Sequence, residues 1–410
     1  MAVRKKPGTL DSFLEPKKPK LDEDDVKMTG KWESIGKDML IFSSENVEGR
    51  AKILGVDLDG TIITTKSGKT FPQNIDDWKL FDAAVPNVLQ KFYSDGFKIV
   101  IFTNQKGIQT GKIDANSFKR KIENILLVLK VPIQVIISLG SLKYRKPCIG
   151  MWEYLEENMN SDISIDRSES LYVGDAAGRV ATKTKKKDFS SADRLFATNI
   201  GLKFYTPEEF FLKKKDKDQF ILPAFNPRTF IETKRDRFEP ADTKIPSLEK
   251  EIIVLVGLPG CGKTKFASEL SAEHGYGVVN RDTMKTWQKC VEATKIYLKK
   301  GLSVVVDNTN CDVLSRKRYI DVAKSFNVSC RCFYLVCDIA QAAHNCRYRV
   351  LAGTDLLHDD VGVMVLRMMK SKFQEPTVAE GFSSIVKVNF VPKFENDTQR
   401  HLYCQYLCDS

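Results

Sequence analysis

The chain has 410 residues, 42% hydrophobic and 29% charged, with a formal net charge of +11, which exceeds one ordinary core and implies two domains. No apolar run approaches the ~20 residues of a membrane helix, and the start MAVRKKPGTL lacks the apolar core of a signal peptide, so a soluble intracellular protein is expected. The positive surplus favours polyanions, nucleic acid first among them, and ten cysteines with no CxxC pair read as reduced thiols, not as bridges or zinc ligands.

Residues 1–35 read as a disordered basic tail, short of apolar residues and rich in lysine, proline and acid. Arg4-Lys5-Lys6 and Lys17-Lys18-Pro19-Lys20 have the spacing of a bipartite nuclear import signal, which places the protein in the nucleus. Between them, Thr9-Leu10-Asp11-Ser12-Phe13-Leu14 faintly resembles a sliding-clamp-binding peptide without its glutamine and second aromatic. Residues 36–220 alternate strand-like runs (AKILGVDLDG, FKIVIFTNQ, IQVIISLG, SLYVGDAAG) with helical stretches. Residues 221–247, with Pro223, Pro227, Pro240 and Pro246, read as a linker. Residues 248–410 begin a second alternating series: EIIVLVGLPG, YGVVNRD, LSVVVDNTN, CRCFYLVCD. Strands alternating with helices predict α/β architecture: two doubly wound parallel-sheet domains with sites at the strands' carboxyl ends.

Asp57-Leu58-Asp59-Gly60-Thr61 directly follows the strand AKILGV. Two carboxylates at i and i+2 at a strand's end can both reach one phosphate. One can attack phosphorus, while the other protonates the leaving oxygen and later activates water. On average composition the motif arises by chance in well under ~1 in 100 chains of this length. Thr103 ends the next strand and can hold a phosphate oxygen. Lys146 in YRKP can neutralise the phosphate and the aspartyl group, and Asp175 closes SLYVGD and can bind Mg²⁺. This order is similar to that of the haloacid dehalogenase-type phosphatases. The resemblance implies Asp57 as nucleophile, Asp59 as acid/base, Thr103 as phosphate anchor, Lys146 as charge neutraliser, and Asp57, Asp59 and Asp175 around the metal. Asp193, in DFSSADR, reaches that metal only from an outer position. The gaps from Thr61 to Thr103 and from Thr103 to Lys146 are about 40 residues each, too short for a capping domain, so an open site suited to a chain end is expected. Lys183, Lys185, Lys186 and Lys187 are placed to line a path for phosphates.

Gly257-Leu258-Pro259-Gly260-Cys261-Gly262-Lys263-Thr264 follows the strand EIIVLV and precedes a helix, the context that makes GxxxxGKT a phosphate-binding loop. Gly257, Gly260 and Gly262 free backbone N–H groups for the phosphates, Lys263 reaches the β/γ-phosphates of ATP, and Thr264 ligates Mg²⁺. Asp282, ending YGVVNRD, is placed to take the acceptor hydroxyl's proton. Asp307 is a second acid for Mg²⁺ and water, and Arg347 and Arg349 suit a phosphate-clamping lid.

Both sites in this order closely resemble the animal-type polynucleotide kinase 3′-phosphatases. The likeness runs over GVDLDGTIITT, FTNQ, YRKPCIGMW, YVGDAAGR, VNRDTMKTWQKC, VDNTN and FQEPTVAEGF. It implies a DNA end-repair enzyme that uses Mg²⁺ and ATP, acts on 3′-phosphate and 5′-hydroxyl strand ends, and works as a monomer with repair scaffold or ligase partners. Vertebrate members carry an N-terminal phosphopeptide-binding domain, whereas here only a short tail precedes the phosphatase, so recruitment through such a domain is not implied. RNA end healing, and a nucleotide-binding scaffold with one dead site, are the alternatives.

Overall fold

The structure, a computed structural model, describes residues 28–183, 185–215, 218–354 and 360–409. The basic clusters and the clamp-like segment of the tail lie outside the described residues. Among those residues no helix is long and apolar enough to cross a membrane.

In the first domain the β-branched runs become strands β1 (Gly30–Ile35), β2 (Met39–Ser44), β3 (Lys52–Val56), β4 (Ile63–Thr64), β5 (Lys79–Leu80), β6 (Phe97–Asn104), β7 (Ile133–Ser138), β8 (Leu171–Val173) and β9 (Lys203–Tyr205). The main sheet has the order β1-β2-β7-β6-β3-β8-β9. From β7 to β9 its neighbours run parallel, while β1 and β2 join antiparallel. The helices are α1 (Val85–Ser94), α2 (Lys106–Gln109), α3 (Ala115–Leu129), α4 (Gly150–Asn158), α5 (Ala192–Ile200) and α6 (Pro207–Leu212). Because successive strand residues point to opposite faces, Leu54 and Val56 meet α1, α3 and α6 through Leu89, Ile122 and Phe210. Ile53 and Phe102 meet α4 and α5 through Trp152 and Phe196 on the other face. Burial on both faces explains why these strands read as continuous apolar runs.

The sequence assigns residues 30–35 to the tail; the structure instead pairs them with β2, from Gly30 opposite Ser44 to Ile35 opposite Met39. KWESI carries too few apolar residues to announce a strand. Its support is tertiary: the Trp32 ring lies 4.9 Å from Phe42, and its Nε1 donates to Glu123 Oε1 at 2.8 Å.

The stretch read as a linker is also built into a core. It holds α7 (Pro227–Glu232), capped by the Asn226 side chain, and β10 (Phe238–Glu239). Pro227 at the first helical turn pre-sets φ and removes an N–H that would go unpaired. The second domain continues with β11 (Glu251–Val256), β12 (Gly277–Asn280), β13 (Val304–Asp307), β14 (Ser329–Val336) and β15 (Ser384–Asn389). The order is β10-β15-β14-β11-β13-β12, parallel except for β10 against β15. Around it pack α8 (Lys263–His274), α9 (Arg281–Met284), α10 (Trp287–Lys299), α11 (Val313–Phe326), α12 (Ile339–Leu351), α13 (Val363–Ser371) and α14 (Asp397–Tyr403). Ile253 and Leu255 face α8 on one side, and Ile252 and Val254 face α10 and α11 on the other.

Arg316 on α11 is fully buried and forms a bidentate pair with Glu380, 2.7 Å at each contact. Its Nη1 also donates to the carbonyls of Asn310 and Gln374. Removing one partner of such a pair leaves an uncompensated buried charge, so Glu380→Ala is expected to destabilise the second domain by about 3–5 kcal/mol. Urea unfolding of the parent and the variant measures it.

Candidate active sites

The first site grows from the end of β3. Asp57 donates its N–H to the Val173 carbonyl at 2.9 Å, and the following turn closes as Ile62 and Ile63 donate to the Leu58 carbonyl at 3.0 Å each. Gly60 sits at φ +87°, and a Cβ there would lie 2.4 Å from the Asp175 carboxylate. Glycine is thus required by both conformation and space. Gly174 is needed for space alone, since its Cβ would lie 2.4 Å from Asp193 Cγ.

The Lys146 ammonium sits at the centre. It donates to Asp57 Oδ1 at 2.6 Å, Asp193 Oδ1 at 2.7 Å, the Phe102 carbonyl at 2.8 Å and Tyr172 Oη at 2.9 Å. Oxygens of Asp57, Asp175 and Asp193 all lie within 4.8 Å of one another. Burial raises the Asp57 carboxyl to about 7 against the pull of Lys146, with the Asp193 charge adding to the rise. Burial, then Asp57 and Asp193, hold Asp175 well above the usual carboxylate range. Burial alone would lower the Lys146 pKa, but Asp193 and Asp57 outweigh it and keep it raised. Three crowded carboxylates sharing one ammonium form a donor set that fits a hard divalent cation. Thr61 Oγ1, buried at the same turn, has no hydrogen-bond partner among the described residues, which fits an oxyanion acceptor supplied by substrate.

Thr103 ends β6 beside this cluster and is 2% exposed. Its Oγ1 accepts from Gln105 Nε2 at 3.0 Å, and the same amide donates to Asp59 Oδ2 at 2.7 Å. Asp59 Oδ1 lies 3.5 Å from Lys121 Nζ. This differs from the expected metal set. The turn on the Leu58 carbonyl swings the half-exposed Asp59 side chain toward Gln105 and Lys121, and Asp193 takes the third place in the cluster. Asp193 lies in the first turn of α5, and its Oδ2 accepts from the Ala176 N–H at 3.0 Å. Sequence reasoning missed Gln105, Lys121 and Tyr172; of these only Gln105, two residues past Thr103 in FTNQ, left a local signal.

Of the lysine run, Lys183, Lys186 and Lys187 are exposed, whereas Lys185 pairs with Asp218 at 3.3 Å and Glu208 at 3.6 Å. Two large aromatics stand in solvent beside it, Phe71 at 66% and Phe189 at 83% exposure. Their rings meet edge to face at 5.9 Å. Phe71 follows the Asp57 turn and Phe189 precedes α5, so the pair bridges two loops at the carboxyl edge of the sheet.

The second site is the turn from β11 into α8. Gly260 (φ +78°) has no room for a Cβ, which would lie 2.6 Å from the Ala342 carbonyl on α12. Lys263 opens α8 and donates to the carbonyls of Gly257 and Leu258 at 3.0 and 2.8 Å. Thr264, next along, is exposed at the helix N-terminus, where unpaired N–H groups favour phosphate. Asp307 ends β13 buried (3% exposed) and accepts from Asn280 Nδ2 at 2.8 Å. The Asn280 Oδ1 in turn accepts from the Asp282 N–H at 2.8 Å. One asparagine thus ties the strand-end acid to the short helix carrying the exposed Asp282.

Arg347 is not where a phosphate lid needs it. Its guanidinium donates to the Ser141 carbonyl of the first domain and pairs with Asp360 at 2.9 Å. The cause is helical phase. Ala342 and Cys346 crowd Gly260 and Asn345 Nδ2 donates to the Gly260 carbonyl at 2.9 Å, so Arg349, four residues after Asn345, continues that stripe. Arg347 points off it.

Residues 52–211 match the family described as polynucleotide kinase 3 phosphatase, and residues 283–376 match an AAA domain. The chain is 37% identical over 360 residues to the bifunctional polynucleotide phosphatase/kinase of Schizosaccharomyces pombe, covering 87% of this chain and 84% of that one. It is 36% identical over 202 residues to a polynucleotide 3′-phosphatase of Arabidopsis thaliana, covering 46% and 28%. With the polynucleotide 3′-phosphatase of Saccharomyces cerevisiae it shares 28% over 222 residues, 41% and 91%.

The carboxylate cluster has a measurable signature. With Asp57 raised from 3.8 to about 7, the native chain binds a proton that the unfolded chain has released, so stability falls as pH rises through that window. A divalent cation reverses this where the carboxylates are ionised. Mg²⁺ is therefore expected to raise the first domain's melting temperature at about pH 8 and to have little effect at about pH 5. Asp175→Asn is expected to remove the gain, as read by calorimetry.

Proposed function

Because this chain belongs to the family of bifunctional polynucleotide phosphatase/kinases, we propose that it removes 3′-phosphates from DNA strand ends and phosphorylates their 5′-hydroxyls. The products would be 3′-hydroxyl/5′-phosphate ends ready for ligation. The observation that carries the phosphatase half is the Lys146 ammonium between Asp57 and Asp193.

In this reading an Asp57 oxygen attacks phosphorus, and the bond from phosphorus to the sugar 3′-oxygen breaks. Asp59, held outside the cluster by Gln105, gives its proton to that oxygen. It then takes one from the water that cleaves the aspartyl phosphate. Lys146 balances charge on nucleophile and phosphoryl group, and the Thr61 and Thr103 hydroxyls meet phosphoryl oxygens. Asp57, Asp175 and Asp193 would hold Mg²⁺, which supplies screening between an anionic nucleophile and an anionic substrate. In the second domain, the loop N–H groups, Lys263 and Thr264 would hold the phosphates of ATP with Mg²⁺. Asp282 takes the proton of the attacking 5′-hydroxyl, and Asp307 and Arg349 serve the phosphates from β13 and α12.

Two features support a chain end over a free metabolite. Among the described residues, the stretches from Thr61 to Thr103 and from Thr103 to Lys146 hold only β4–β7 and α1–α3, with no inserted domain over Asp57. The exposed Phe71–Phe189 pair with Lys186 and Lys187 offers stacking surface and charge, a combination suited to unpaired bases and backbone phosphates. DNA and a nuclear setting are supported by the motif likeness and by the paired basic clusters of the tail.

Asp57→Asn is expected to abolish 3′-dephosphorylation and spare 5′-phosphorylation, and Lys263→Ala to do the reverse. Loss of both activities from either change in folded protein would refute two independent centres. Phe71→Ala is expected to raise KM for 3′-phosphorylated oligonucleotides by roughly 5- to 100-fold, the span of one lost stacking contact of about 1–3 kcal/mol. Hydrolysis of a small aryl phosphate should be untouched. Turnover of matched DNA and RNA oligonucleotides tests the sugar: faster turnover of RNA ends would replace the DNA reading.

A further inference from the structure

Residues 404–409 follow α14 in the second domain, yet they lie along α5 of the first. Tyr406 and Leu407 are 4% and 2% exposed. Asn199, near the end of α5, donates from Nδ2 to the carbonyls of Pro147 and Tyr406 at 3.0 Å each and accepts from the Tyr406 N–H at 2.8 Å. Pro147 directly follows Lys146.

Asp409 reaches the other end of α5. Its Oδ1 accepts from the Ser191 N–H and from the Ser191 hydroxyl, both at 2.9 Å, and its Oδ2 accepts from the Ser190 hydroxyl. Ser191 is the fully buried residue just before α5, at its N-cap, and its own side chain makes no capping bond to the helix. The acceptor and negative charge that a helix start favours therefore come from a residue 218 positions later.

Asp193 stands two residues past Ser191 and has little latitude. Gly174 lies so close that a Cβ would fall 2.4 Å from Asp193 Cγ, while Lys146 and the Ala176 N–H hold both carboxylate oxygens. A small tilt of the α5 start cannot be absorbed without breaking the Lys146 contact.

We propose that Asp409 is a positioning residue of the 3′-phosphatase centre, acting through Ser190, Ser191 and α5 on Asp193. The inference rests on the phosphatase reading of that site and goes beyond it: a segment of the kinase domain completes the phosphatase. Asp409 touches no reacting atom; its effect is on the geometry of Asp193, which meets Lys146.

The test uses the full chain with Asp409→Ala and Asp409→Asn, assayed on a 3′-phosphorylated DNA oligonucleotide. Asp409→Ala is expected to lower kcat roughly 10- to 100-fold, the cost of a sub-ångström to ångström misplacement, with KM changed less than about twofold. Kinase kcat in the same preparation stays at the parent value. Asp409→Asn keeps an acceptor for Ser191 and is expected to recover most of the loss; it also serves if the alanine variant folds poorly. Hydrogen exchange at the first-turn amides of α5 rises with the loss of kcat. A phosphatase kcat equal to the parent's, or a parallel fall in both activities without rescue by asparagine, overturns the proposal. A parent that fails to turn over 3′-phosphates would overturn the phosphatase reading itself, and the proposal with it.

Discussion

The first domain depends on one buried cation. Lys146 is 4% exposed, and its ammonium meets groups from four places in the chain: Asp57 after β3, the Phe102 carbonyl in β6, Tyr172 in β8 and Asp193 in α5. A lone ammonium in such a place would lose its proton or its burial. Here the carboxylates hold the proton on, and the ammonium allows two of them to approach each other. The sheet order β6-β3-β8 is what brings these groups to one edge, and Gly60 and Gly174 are the gaps through which Asp175 and Asp193 enter.

The second domain uses backbone for the same purpose. Its phosphate loop is shaped by close approach of Gly260 to α12, with Asn345 tying the two together. The Tyr403 hydroxyl donates to Asn345 Oδ1 at 3.0 Å, and the chain then runs directly into the segment lying on α5. The two centres are thus joined by packed and hydrogen-bonded groups as well as by the covalent connection. The Phe225 ring, 4.9 Å from His344 on α12, shows the connecting stretch sharing in that packing.

The motif residues were legible because each chemistry demands fixed residue types at fixed spacing. DxDGT and GxxxxGKT announce themselves, and the strands before them are apolar because both faces are covered. Asp193 was underweighted because an aspartate in DFSSADR has no pattern of its own; its place is set by α5 and by the room left at Gly174. Arg347 and Arg349 were read alike because sequence proximity does not show which side of α12 faces Gly260. The strand Gly30–Ile35 was missed because its own residues show little alternation, and its support comes from pairing with β2 and from Glu123, 91 positions away.

By itself the sequence determined the two α/β domains and their order, and it pointed to the residues proposed for phosphoryl chemistry, since periodicity and motif spacing are local properties. Only the tertiary structure decided which carboxylates share Lys146, that Asp59 stands with Gln105 and Lys121, and that residues 404–409 belong to the neighbourhood of the first site. Those are matters of distance between residues as far apart as Ser190 and Asp409, 219 positions. Such distances follow from strand order and helix phase, which no local pattern specifies.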